Sequence, residues 1–216
     1  MEEARAIDPE RWPRREHFEH YLRAPCAYSI TVELDVTELA SALERSERKS
    51  SLAHVWALAE VVNRHDEFKM TLLGDGEPAV WARVDPLFTV FNPERETFAG
   101  VLVPYDPDFG AFHDAAAPLL VEHRRATRLF PQGAPAPNAF YVSSLPWTSF
   151  TGFDLQLRDE REALAPIFTL GRSLQRSGRT LLPLAVRVHH AAADGFHTAR
   201  LLDELQELCA EPGWLR

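Results

Sequence analysis

No uninterrupted apolar run in the chain approaches the roughly 18 residues that a bilayer-spanning helix needs. The opening stretch, MEEARAIDPERWPRREHFEHYL, is charged throughout and lacks the apolar centre of a secretory signal. Cysteine is scarce. Cys26 and Cys209 stand far apart in no metal-ligand spacing, which argues against a disulfide framework and makes the reducing cytoplasm the expected location. Each reads as a small buried apolar residue. Positive charge is also in deficit: 23 Lys and Arg face 32 Asp and Glu, a formal net charge of -9. Such a surface repels a phosphate backbone, so nucleic acid is not an expected partner; with no spanning run, neither is a membrane. The chain shows no internal repeat and no low-complexity tract.

What is present fits a single globular domain over residues 1–216, with 45 % hydrophobic and 25 % charged residues. A short helix is expected at RREHFEHYL, after Trp12-Pro13. A strand is expected over 27–36, then Thr37 as the N-cap of a helix. SLAHVWALAEVVNRHDEF reads as a more apolar helix, and KMTLLGDGEPAVWARV as a hairpin turning at Gly74-Asp75-Gly76. LFTVFN and TFAGVLVPY read as strands, and DFGAFHDAAAPLLVEHRRAT as a long helix. RLFPQGAPAPNAF is too rich in proline for either. FYVSSLPW and SFTGFDLQL are two further expected strands, and IFTLGRSL and TLLPLAVRVHH form a last hairpin. After Asp194 comes a helix with Thr198, Leu201, Leu202, Leu205, Leu208 and Cys209 on one face. The interleaving predicts a mixed sheet covered by helices.

The densest chemistry lies in LPLAVRVHHAAADGFHTARLLDEL, residues 182–205, with three of the nine histidines. Three readings compete. Asp194 caps the last helix and the histidines are incidental. Or His189, His190, Asp194 and His197 hold a metal, although neighbouring strand residues point to opposite faces and the spacing is not that of a zinc helix. Or an imidazole serves as general base, held in one tautomer by its surroundings.

HHAAADGFH matches the H-H-x-x-x-D-G motif of coenzyme A-dependent acyltransferases. With WPRREHFEHY, VDPLFTVFNPERETFAG, RLFPQG, SSLPWTSFTGFDL and LAPIFTL, collinear over nearly the whole chain, the sequence resembles the type A chloramphenicol acetyltransferases. The motif alone also occurs in dihydrolipoyl acyltransferase cores and condensation domains. The expected absence of a lipoyl domain before the catalytic part counts against the former.

The resemblance implies an α/β two-layer sandwich assembled as a homotrimer, with active sites at subunit interfaces. It implies acetyl-CoA as co-substrate, chloramphenicol as acceptor and no metal. It makes His190 the general base for direct attack in a ternary complex, and His189 structural. It pairs Asp194 with Arg14 as a brace for the loop rather than as a triad acid. Ser143 becomes the hydroxyl donor to the oxyanion, with Ser144 one position off, and Thr169 acts nearby through water. The implied acceptor pocket holds Tyr21, Cys26, Tyr28, Phe98, Phe130 and Leu155. For coenzyme A it implies Lys49 near the 3′-phosphate and Trp147 along the channel. Two departures from relatives, Ala24 and Tyr141, change pocket size or polarity. Arg172 and Ser173 stand where relatives often carry a lysine and an aromatic residue. The rival readings are the same chemistry on another hydroxylated acceptor, and a non-catalytic trimer that sequesters hydrophobic drugs.

Overall fold

The computed structural model describes residues 3–74, 76–157 and 163–215. In chain order these form β1 (Ala4–Ala6), α1 (Arg15–Arg23), β2 (Ala27–Asp35), α2 (Thr37–Glu44), α3 (Ser50–Arg64), β3 (Met70–Leu73), β4 (Glu77–Trp81), β5 (Asp85–Asn92) and β6 (Thr97–Leu102). Then come α4 (Phe109–Glu122), β7 (Ala139–Ser144), β8 (Ile167–Leu170), β9 (Leu174–Arg176), β10 (Arg179–His189) and α5 (Gly195–Ala210).

A mixed sheet of seven strands runs β2-β10-β8-β7-β5-β6, with β9 also pairing β10. β5, β7 and β8 are mutually parallel, whereas β10 is antiparallel to both β2 and β8. Strand alternation sorts the two faces. Leu182, Leu184, Val186 and Val188 of β10 join Phe140 and Val142 of β7 and Phe168 and Leu170 of β8 in one large apolar core with α3, α4 and α5. α3 is apolar nearly all round because it is sandwiched: Leu52, Val55, Trp56, Leu58 and Val62 are all buried. The predicted face of α5 is inward, with Thr198, Leu201, Leu205 and Cys209 buried.

Several expectations change. The predicted hairpin forms, but in a separate three-stranded sheet, β1-β4-β3, whose short first strand has no clear sequence signal. Asp75 of its predicted turn lies outside the described residues, while Gly76 takes φ +86°, open to glycine without strain. Thr37 is not an N-cap. It is the first residue of α2, and its amide and hydroxyl both donate to the Asp35 carboxylate. SFTGFDLQL, residues 149–157, is not a strand. It crosses the sheet face opposite the helices: the Phe153 amide donates to Thr31 Oγ1 of β2. A Cβ on Gly171 would lie only 2.9 Å from the Phe150 ring, so that position needs glycine to let the crossing segment through.

Candidate active site

Two groups of predicted site residues assemble, at opposite ends of the large sheet. The first surrounds His190, just past the end of β10. Its backbone amide donates to the Cys26 carbonyl at 2.8 Å, which fixes the strand end against the start of β2. The imidazole stacks on Tyr21 of α1, with ring centroids 4.0 Å apart and planes within 6°. Tyr28 meets it edge-on at 5.2 Å. The Tyr28 hydroxyl shares a 2.7 Å hydrogen bond with Thr198 Oγ1 of α5, and burial pushes its pKa up. Nδ1 of His190 is enclosed and has no hydrogen-bond partner among the described residues. His189 is fully buried on the other side of the strand end, where its Nδ1 accepts from the Ala191 amide. The pair therefore diverges, and no group of three or more potential metal ligands occurs among the described residues.

The loop after His190 is held from both ends. Asp194 is the N-cap of α5: Oδ1 accepts from the Phe196 amide at 3.0 Å. Its other oxygen accepts from Arg14 Nη1 at 2.6 Å, and Arg14 Nη2 reaches the His190 carbonyl at 3.4 Å. The helix cap and the ion pair are thus one carboxylate. Burial pushes the Asp194 carboxyl up, but the Arg14 hydrogen bond, the charges of His197 and Arg14 and the Phe196 amide outweigh it and hold the pKa below its ordinary value. Behind it stands a network that sequence reasoning missed. The Asp194 amide donates to His197 Nδ1, the His197 ring contacts Glu67 at 3.4 Å, and Glu67 pairs with Arg200 at 3.2 Å. The spacing of His197 and Arg200 on one helix face was visible, but Glu67 comes from a distant turn.

The second group lies where the parallel strands β5, β7 and β8 end, the usual place for a crevice in an α/β sheet. A cavity of about 760 Å³ opens there. Ser143, Phe98 and Trp147 line it, with Arg172 and Ser173. Ser143 sits directly beside Thr169 in parallel register, on the face away from the helices. Ser144 points to the opposite face, and its amide donates to Thr89 Oγ1. Trp147 is 56 % exposed and packs edge-on against Phe91. Ser50 and Ser51, at the start of α3, also line the cavity. Lys49 is the exposed residue just before them, and its amide donates to His113 Nε2.

The remaining predicted residues stand apart from both groups. Phe130 packs on Gly100 of β6, where a Cβ would come within 3.0 Å of the ring. Leu155 is exposed on the crossing segment. Ala24 is the exposed C-cap of α1, and Tyr141 is exposed on β7.

The chloramphenicol acetyltransferase family model matches residues 3–206. The chain belongs to the chloramphenicol acetyltransferase family. It is an enzyme of the acyltransferase class. A chloramphenicol acetyltransferase of Streptomyces acrimycini is 68 % identical over 210 residues, covering 97 % of this chain and 96 % of the relative. Chloramphenicol acetyltransferase 3 of Escherichia coli is 42 % identical over 204 residues, covering 94 % and 95 %. Among solved structures, a chloramphenicol acetyltransferase superposes with a TM-score of 0.83 at 22 % identity over 96 % of this chain and all of that one, a likeness of fold.

Within one chain of this family member the two groups cannot meet. Ser143 is level with Thr169 and Ala185, and β10 runs on from Ala185 to His189 toward the far end of the sheet. Four residues at about 3.3 Å and two strand spacings of about 4.8 Å put the Ser143 and His189 Cα atoms roughly 16 Å apart, with His190 one residue further.

Proposed function

We propose that this enzyme transfers the acetyl group of acetyl-CoA to the 3-hydroxyl of chloramphenicol, as a homotrimer of single-domain chains in the cytoplasm. The observation that carries the reading is the split site. An imidazole pinned between two tyrosines lies at one end of the sheet, and a cavity with a hydroxyl donor lies at the other. Each half lacks what the other holds, which supports a site completed by a neighbouring copy. The aromatic lining of the cavity, with Phe91, Phe98 and Trp147 all exposed, supports the same reading.

In the composite site both substrates are bound together. Nε2 of His190 takes the proton of the acceptor hydroxyl as its oxygen bonds to the thioester carbonyl carbon. The carbonyl electrons move to oxygen, and the Ser143 hydroxyl of the adjacent copy donates to that oxyanion. Thr169, beside it in register, holds a water at the same centre. Collapse re-forms the carbonyl and expels the coenzyme A thiolate, which takes the proton back from His190. The Arg14–Asp194 pair keeps the loop, and hence the imidazole, in position. A cavity of this volume suits a pantetheine arm. Its wall at the start of α3, beside Lys49, suits the phosphorylated end, since helix N-termini favour anions. Tyr21, Tyr28 and Cys26 from the histidine side, with Phe98, Phe130 and Leu155 from the adjacent copy, form the acceptor pocket.

Thiol release from acetyl-CoA, followed with and without chloramphenicol, tests the reading. A saturable, chloramphenicol-dependent rate is expected. Release with another alcohol but none with chloramphenicol sinks the acceptor assignment, and no release with any acceptor sinks the enzyme's proposed reaction.

A further inference from the structure

His54 is a polar residue in an apolar place. It follows Ser50 and Ser51 by one helical turn on α3, so the three share one face, and all three line the 760 Å³ cavity. Leu170 and Leu182 line the cavity with it. On its far side a narrow space is walled by Leu34, Leu58, Leu205 and Cys209, which offer no strong hydrogen-bonding group. His54 makes no hydrogen bond, ion pair or ring contact with any described residue. His54 is partly buried, and neither ring nitrogen is enclosed, so a ligand in the cavity can reach the imidazole and supply the partner that the protein does not.

Burial alone pushes the His54 imidazole down to about 4, so it is neutral near pH 7. A neutral imidazole offers one donor and one acceptor, the complement of a secondary amide. Charged Arg172 and Glu96 also line the cavity, but they suit charged groups rather than a neutral one. Resting on the proposed use of coenzyme A, the geometry points to His54 as the residue that hydrogen-bonds an amide of the pantetheine arm, fixing how far the thioester reaches toward Ser143. Nothing in the chemistry requires His54 to touch the reacting atoms; it is a positioning residue.

Calorimetric binding of two probes tests this: coenzyme A, which carries the arm, and adenosine 3′,5′-bisphosphate, which lacks it. His54→Leu should weaken coenzyme A by about tenfold, the loss of one hydrogen bond, and leave the bisphosphate within about twofold. His54→Gln, which keeps a donor and an acceptor, should recover most of the loss. The inference is overturned if His54→Leu binds coenzyme A like the wild type, if both probes weaken equally, or if KM for chloramphenicol rises instead. Failure of the wild type itself to bind coenzyme A would remove the underlying reading, a result separate from any comparison of variants.

Discussion

Mixing two crippled chains should restore activity. His190→Ala removes the proposed base but keeps the Ser143 cavity. Ser143→Ala keeps the proposed base and removes the proposed oxyanion donor. The two residues belong to opposite ends of the sheet, roughly 16 Å apart at their backbones. Side chains of this size span about half of that gap, so a reacting centre touching both needs two copies. In a closed ring with head-to-tail contacts, each site takes its histidine from one copy and its serine from the next. With equal amounts of the two variants assembled at random, the chance that a site joins an intact His190 to an intact Ser143 is one half times one half, about one quarter. The variants alone should run at about 10⁻² of wild type or lower, since one oxyanion donor or one general base supplies roughly 10²–10⁴-fold. Chains co-expressed at equal levels, or denatured together and refolded, should therefore show about 25 % of the wild-type rate by thiol release. Separately refolded chains, mixed afterwards, serve as the control. A mixed preparation that never exceeds the mean of the two variants, in demonstrated mixed trimers, would refute the split site.

Other consequences are simpler. Asp194→Asn keeps a capping side chain but removes the charge facing Arg14, whose side chain is mostly buried; discounting for the partial exposure of Asp194, the loss should be about 1–3 kcal/mol, or several degrees in Tm at fixed protein concentration. Asp194→Ala should cost about 1 kcal/mol more through the lost cap, and equal melting of the two variants would contradict the dual role. Because the Asp194 pKa lies below its unfolded value, its stabilisation is present above about pH 4 and is lost as pH falls through the folded pKa; acid titration of Asp194→Asn should lack that component. His54 acts with the same sense for a different reason. Its folded pKa of about 4 lies below the ordinary 6.5, so the unfolded chain protonates first and stability drops as pH falls across that window. His54→Leu should gain on the wild type by up to about 1.4 kcal/mol per pH unit there, and parallel melting curves from pH 7 to 4 would count against it. Finally, His189→Ala should lower Tm more than His190→Ala, because only His189 is fully buried, whereas His190→Ala should lower turnover more; the reverse pattern exchanges their roles.

The sequence by itself determined the local elements and the motif. Alternating residues over 27–36, the apolar run TLLPLAVRVHH and helical spacing after Asp194 depend on near neighbours in the chain, so β2, β10 and α5 were legible. The family was legible too, from blocks spread along the chain. SFTGFDLQL failed because its apolar residues pack across a sheet face rather than join a ladder, and a spacing of two does not tell those apart. Among the described residues, β1 gains its only ladder from β4, more than seventy residues away. His54 looked like any helix residue, since its place on the cavity wall depends on where β7 and β8 stop. Tertiary structure alone decided that one carboxylate both caps α5 and holds Arg14, and that His190 and Ser143 lie at opposite ends of the sheet. The second fact follows from strand direction: β10 enters the sheet antiparallel to β8, so its carboxyl end points away from the ends of β7 and β8. Strand order and direction are set by the sum of long-range packing, which no spacing within a motif records.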